Sequence, residues 1–494
     1  MQSNHKHKLT LIVECCFLVI AGYMLLGRVA SIFTYNPNIS GVEEVFVFYI
    51  QNLLSGAVFY PNPSEPPYII SQYTPIFFYV TAFFAKLFRL DPEQNLTQIF
   101  WMGRSISFIA NLFTFVYIVK LVKLFRPIRL SYTGLLFILY FGTLTHHSFA
   151  TRPDSLKVCF LIAGFYYLVS YLFNQKIRVY LSAVVLFCLA IFTKQDAVLE
   201  SGIILSVFLL FFSTNRKKDL VTTVGVFLIS GIVFYLCFRN QYLEVLFIKS
   251  KEHISLNYFK LIFTAYHRHA IVLALMLFFG YAALGLTAIK QRPLVFIAVV
   301  LFPMAIYNVV SVAMWGSSFV YVSTTIILSI TLLFIVNRKA IAFLFVGFTI
   351  IFLVKTDIYY TYYIKERASV EAPYILEHEQ RKQIKGIIEK DNPTGDYKTL
   401  TFDKLLSNYL FETSIFPTYE AEGIEYYYYG SVPMDEYKYF KKFDYNTKYL
   451  VDNNEPKYLI TNHESQLKLD YNSVRADAYS QIGQVNGFRV LKRN

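Results

Sequence analysis

The residues able to do chemistry in this chain are few, and they sit at the edges of long apolar runs. Glu43-Glu44 follows the first such run and opens an aromatic, apolar segment, Val45 to Leu54. A carboxylate there could take a proton from an attacking hydroxyl as a general base. Equally, two acids could start an amphipathic helix and favour its N-terminal dipole. Neighbouring helical positions differ by about 100° in direction, so only one of the pair can face a given site. Thr151-Arg152-Pro153-Asp154 offers a guanidinium fork for a phosphate and a carboxylate to orient it or the acceptor. Pro followed by Asp is also a good helix start, and the two readings stand side by side. His146 and His147, just before, could hydrogen-bond a ligand or serve packing.

Lys194-Gln195-Asp196 ends a further apolar run, and Arg104 opens another. Each cation could bind an anion or snorkel to an interface. Gln72-Tyr73-Thr74-Pro75 starts an apolar segment with Pro75 suited to its first turn. Trp315-Gly316-Ser317-Ser318, followed by Tyr321, offers small residues that let a ligand approach the backbone, or a plain tight turn. His253 belongs to a charged stretch between two runs. Tyr73, His146, His147 and Gln195 are candidate substrate contacts, as are His253, Ser317 and Tyr321. No Gly-rich phosphate loop or nucleotide fingerprint is present.

The elements that must position these groups cross a membrane. Of 494 residues 55% are hydrophobic and 16% charged, and the mean hydropathy is +0.43. A soluble chain has about a quarter charged residues. Runs able to cross a hydrocarbon core of about 30 Å lie near 9–33, 105–123, 132–150, 156–173, 179–193, 197–213, 220–238, 270–289, 293–313, 319–336 and 340–354. The fold class is therefore an all-α polytopic membrane protein of about eleven transmembrane helices, with a small C-terminal α/β domain. The first run is too long for a signal-peptide core and is read as a retained span. Five cysteines all fall in apolar runs, which excludes a disulfide framework or a zinc spacing.

The net charge of +13 is divided unevenly. Residues 355–494 hold 19 Lys+Arg against 21 Asp+Glu, so the positive excess lies wholly in the apolar part. That argues for membrane orientation and no nucleic acid. If Tyr73 to Phe88 does not cross, the clusters around Lys6, Lys120, Lys176, Arg216, Lys290 and Arg338 all share one side, the cytoplasmic one. Tyr73 to Phe88 is accordingly placed as a juxtamembrane helix in the outer interface. The first outer loop, about 34–104, and the tail from 355 then face outward, as does the segment 239–269. The spans 1–354 form one domain and 355–494 a second, with a helix over 364–390 and strands near 399–402, 457–461 and 487–491. Arg104, Arg152 and Lys194 put three cations on the outer face, against the trend, where they could neutralise a phosphate.

In this order the pieces resemble the GT-C type of membrane glycosyltransferase, especially the bacterial aminoarabinose transferases of lipid A and the protein O-mannosyltransferase-like enzymes (glycosyltransferase family 39-like). The matching residues are Glu43-Glu44, Gly56 to Pro61, Tyr73-Thr74-Pro75, Gly103-Arg104, Arg152-Pro153-Asp154 and Thr193-Lys194, covering roughly the first 320 residues. The family usually has Asp where this chain has Glu43, and lysine or histidine-proline before its juxtamembrane helix. The resemblance implies an inverting glycosyltransferase of the bacterial inner membrane, with a cytoplasmic N-terminus and the C-terminal domain outside. It implies a polyprenyl-phosphate sugar donor and a lipid, glycan or protein acceptor. Glu43, Glu44 or Asp154 would be catalytic, and Arg104, Arg152 and Lys194 would bind the donor phosphate. No metal ligand is assigned; a divalent metal, used by some relatives, is compatible but not required. A transporter or flippase for lipid-linked saccharide, or an outer-leaflet polymerase or ligase, is the alternative. A transporter would show ionisable groups at mid-membrane and repeated halves.

Overall fold

The computed structural model describes residues 2–33, 43–60, 73–92, 94–145, 148–238, 256–265, 267–285, 291–313, 319–336, 371–394, 399–401, 457–461 and 478–494. The expected span 340–354 lies outside them. Among the described residues five helices are long and apolar enough to cross a membrane: Glu14–Ile32 within α1 (Gln2–Ile32), α4 (Leu96–Lys123), α6 (Asp154–Asn174), α9 (Arg216–Phe238) and α12 (Arg292–Val312). Shorter apolar helices include α3 (Ile76–Leu87), α5 (Leu130–Thr143), α7 (Ile177–Thr193) and α8 (Ala197–Val207), which a π-helical turn extends to Phe212. Leu256–Ala265 is α10, His267–Gly285 is α11 and Ser323–Val336 is α13.

Hydrogen bonds fix which helix ends lie together. At one end Arg104, early in α4, reaches the carbonyl of Ile32, the last residue of α1. At the other, Ser131 at the start of α5 donates at 2.8 Å to Glu14, where the apolar stretch of α1 begins. The chain between α1 and α4 therefore leaves and re-enters at the same end. α2 (Glu43–Leu54) and α3 have 12 residues each, short of the length that crosses a hydrocarbon core of about 30 Å. At the Ser131 end, Tyr171 and Ser213 both donate to Asp219, joining the end of α6, the π turn and the start of α9. Arg292, opening α12, donates to Phe212 O there. Lys120, Lys123, Lys176 and Arg216 belong to these same turns.

Packing follows the apolar pattern. Gly164 in α6 lets α7 close in: a Cβ there would meet the Phe187 ring at 2.8 Å. Every residue of α13 is buried, so this helix is the axis of the bundle. Two of its hydroxyls turn back on their own helix, Ser329 to Thr325 O and Thr331 to Ile327 O, both at 2.7 Å, while the Thr325 hydroxyl accepts from Asn308 of α12 at 2.9 Å. By contrast α9 exposes Leu228, Ile229, Ile232, Val233 and Leu236 along one face, the surface of a helix solvated by lipid.

The tail packs α14 (Glu371–Asp391) on a four-stranded sheet of order β1-β2-β4-β3. The strands are β1 (Thr399–Thr401), β2 (Tyr458–Thr461), β3 (Tyr479–Val485) and β4 (Phe488–Arg493). β1 and β2 are parallel and the other pairings antiparallel. Ile384 and Ile388 bury against Tyr458, Ile460 and Val490. Strand β3 is not apparent from apolar content because it reads Ser, Gln and Gly between its apolar residues. Asn486 and Gly487, both at positive φ, make the two-residue hairpin that joins it to β4.

Candidate active site

The polar face of α4 organises the site. Phe100, Gly103, Arg104, Ser107 and Asn111 recur at helical spacing and face the irregular segment that follows α5. Ser107 donates to Ala150 O at 2.8 Å, Asn111 to Ser148 O at 2.7 Å, and Thr151 to Phe100 O at 3.0 Å. Tyr140 donates to Asn111 Oδ1, and Ser155 returns to Ser148 O. The segment lies so close that a Cβ on Gly103 would come within 2.2 Å of Thr151 Cγ2. Glycine is required there by space.

Two ion-pair groups flank this segment. In the first, Arg104 presents its fork to Glu43, Nε to Oε1 at 3.0 Å and Nη2 to Oε2 at 2.9 Å. The backbone N–H of Thr151 donates to Oε1 at 2.6 Å. Both side chains are completely buried. Arg104 lies eight residues inside α4, deeper than an opening position, because Leu96 to Trp101 continue the helix outward.

The second group begins one residue on. Arg152 Nε donates to Asp154 Oδ2 at 3.0 Å, and Lys194 Nζ to Asp154 Oδ1 at 2.6 Å. Asp154 opens α6 behind Pro153, and Lys194 follows the last residue of α7, so the α6–α7 hairpin carries both. The Lys194 ammonium also lies 3.6 Å from Asp196 Oδ2 and 4.1 Å from the centre of the Tyr321 ring. Beyond it Lys157 bridges Asp196 Oδ2 at 3.3 Å and Glu200 Oε2 at 2.8 Å. Burial disfavours the charged form of Lys194, but Asp154 and Asp196 outweigh it and hold the ammonium above its ordinary value. Arg152 is raised likewise: its desolvation is outweighed by Asp154, then Tyr73 and Tyr321. Phe46 lies under Arg152 at 5.8 Å and packs 4.9 Å from the half-buried Tyr73.

Of the expected site residues, Tyr73, Arg152, Asp154, Lys194 and Tyr321 come together. Gln195 lies in the adjoining turn between α7 and α8. The expected triad of phosphate-binding cations is divided: Arg104 is matched to Glu43, while Arg152 and Lys194 share Asp154. His146, His147, His253 and Ser317 lie outside the described residues, as does the Glu44 side chain. Lys157 and Glu200 were not singled out, although each is a charge inside an apolar run and thus costly unless used. Among the described residues no three His, Cys, Asp or Glu side chains converge as a metal site. Both oxygens of Asp154 are occupied by cations, a donor set that does not fit a metal.

Residues 72–242 match the family described as dolichyl-phosphate-mannose-protein mannosyltransferase. No curated protein matches the chain in sequence. Among solved structures, apo ArnT from Cupriavidus metallidurans is 12% identical over 96% of this chain and 97% of that one, with a TM-score of 0.60. The same protein bound to undecaprenyl phosphate is 11% identical with the same coverage and TM-score. The archaeal oligosaccharyltransferase AglB from Archaeoglobus fulgidus, in complex with an inhibitory peptide and a dolichol-phosphate, is 11% identical over 90% and 69%, with a TM-score of 0.53. The resemblance read from the ordered motifs is borne out: the chain shares the fold of these membrane proteins along nearly its whole length.

Proposed function

We propose that this GT-C-fold membrane protein transfers a sugar from a polyprenyl-phosphate donor to a lipid, glycan or protein acceptor at the outer face of the membrane. The observation that carries the reading is the Arg152–Asp154–Lys194 group, two cations around one carboxylate, at the helix-bundle end away from the basic turns. The positive-inside rule supports a cytoplasmic side for those turns, with the N-terminus inside and the group and the tail on the outer face of a bacterial inner membrane. A lipid-linked sugar reaches such a site within the bilayer, where nucleotide sugars are not available. The lipid-phosphate ligands of two structural relatives support the donor class.

In the reaction the acceptor hydroxyl attacks the anomeric carbon, and the bond from that carbon to the phosphate oxygen breaks with inversion. The acceptor proton passes to a carboxylate, and the lipid leaves as its phosphate. Arg152 and Lys194 stabilise the charge growing on that phosphate. Asp154 is the better placed base. Its two cations are those the phosphate would attract, so donor binding would draw them off and unmask the carboxylate. Glu43 holds three donors in a fully buried knot and positions Thr151-Arg152. The test supplies purified protein with a panel of polyprenyl-phosphate sugars and follows release of the lipid phosphate. Turnover is expected in wild type and lost in Asp154→Asn. Turnover unchanged in both Asp154→Asn and Glu43→Gln would overturn the site, and no binding of any lipid-linked sugar would overturn the function.

A further inference from the structure

Lys157 is buried one turn into α6, and its side-chain hydrogen bonds go to neither Asp154 nor any other group with a part in the proposed reaction. Its placement nevertheless bears on Lys194. Asp196 and Glu200 sit in the first turn of α8 and the residue before it, four residues apart, and both accept from the Lys157 ammonium. Each also has a second carboxylate oxygen, Asp196 Oδ1 and Glu200 Oε1, buried without a partner among the described residues. The buried Glu200 and the partly exposed Asp196 therefore rely on one cation held at hydrogen-bond distance. The next nearest is Lys194, 3.6 Å from the same Asp196 oxygen that Lys157 uses. Lys194 stands between two carboxylates, 2.6 Å from Asp154 and a further ångström from Asp196.

We propose that Lys157 is a positioning residue for the reaction: by occupying Asp196 and Glu200 it leaves Lys194 directed at Asp154 and at the donor phosphate. Opposite charges in a water-poor site attract far more strongly than in water, so the balance of anions around Lys194 sets its direction. Without Lys157, the unpaired Asp196 and Glu200 pull Lys194 toward α8 and repel an arriving phosphate. Removing Glu200 alone has the opposite effect. Lys157 then serves Asp196 undivided, and Lys194 is freed further toward the phosphate. A positioning role so predicts a variant that binds phosphate more tightly than wild type, an outcome that loss of a merely structural ion pair does not produce.

The inference rests on the polyprenyl-phosphate reading above, and the experiment separates the two. The full chain in nanodiscs is titrated with undecaprenyl phosphate, and KM and kcat are measured with a lipid-linked sugar that the wild type turns over. Lys157→Met is expected to weaken undecaprenyl phosphate binding and raise the donor KM by roughly tenfold or more, with a smaller change in kcat. Lys157→Arg and the charge-balanced Lys157→Met/Glu200→Gln are expected to recover most of that loss. Glu200→Gln alone is expected to bind several-fold more tightly, and it decides the matter if Lys157→Met does not fold. A folded Lys157→Met with wild-type binding and KM, or a Glu200→Gln no tighter than wild type, overturns the positioning role alone. A wild type that binds no polyprenyl phosphate overturns both.

Discussion

Glu43 and Asp154 are both buried carboxylates, both bound by an arginine, and separated by the three-residue turn Thr151-Arg152-Pro153. Their partners differ in kind. Glu43 takes a bidentate fork and a backbone N–H from groups that also tie α1, α4 and the turn together. Nothing can leave it without loosening those elements at once. Asp154 takes two cations that have other claims on them: Lys194 lies beside Asp196 and Tyr321, and Arg152 beside Phe46 and Tyr73. A carboxylate whose cations are shared with other anions is one a ligand can uncover, whereas one whose partners also tie helices together is a strut.

The largest expected effect separates the two directly. Asp154→Asn keeps the shape of the side chain but cannot accept a proton. It should lower lipid-phosphate release by about 10²- to 10⁴-fold, with a smaller fall in melting temperature than Glu43→Gln because Lys194 keeps Asp196 beside it. A comparable rate loss in Glu43→Gln without any fall in melting temperature would reverse the assignment of roles. Next, Arg104→Met leaves Glu43 buried without its cation, and breaking such a pair costs about 3–5 kcal/mol. Thermal unfolding in detergent should show that loss, and Glu43→Gln/Arg104→Met should regain most of it. No regain would mean that the Arg104 fork is not what balances the Glu43 charge. Smaller still, Gly103→Ala drives a methyl group into Thr151, at a cost of roughly 1–3 kcal/mol for overpacking. Because Thr151 leads into Arg152, the donor KM should rise as well, and Thr151→Ala in the same chain should relieve part of both effects.

How far this comparison was legible in the sequence depended on spacing. Most apolar runs became helices close to their expected bounds. The parity of the basic turns put Tyr73 to Phe88 in the outer interface as a juxtamembrane helix, and the contacts Arg104–Ile32 and Ser131–Glu14 show the chain around it leaving and re-entering at one end of the bundle. Glu43, Arg104, Arg152, Asp154 and Lys194 all drew notice as charges at run edges. Their pairing did not, because it depends on which of two residues a helix turns inward and on how closely the segment after α5 passes Gly103. Lys157 and Glu200 lay inside runs judged by their apolar content, where a lone charge is easily averaged away. In the tail, β3 hid behind its polar residues, although Asn486-Gly487 marked the hairpin.

The smallest effect concerns a third carboxylate, with similar partners but in water. Asp391 ends α14 and accepts from Lys492 Nζ at 2.8 Å and from the Tyr458 hydroxyl. Those hydrogen bonds, that of Lys492 foremost, hold its carboxyl below the usual carboxylate range. With the folded value depressed below an unfolded one of about 3.9, the stabilisation is fully present above that pH and is lost as pH falls through the folded value. Exposure and salt keep it small. Amide exchange in β2 and β4, corrected for its intrinsic pH dependence, should therefore quicken in wild type as the solution is acidified from pH 5. In Asp391→Asn that acceleration should be absent, while lipid-phosphate release at neutral pH is unchanged. A variant that instead lost turnover would show that the tail domain bears on the site, and that solvent exposure alone does not set Asp391 apart from the two buried carboxylates.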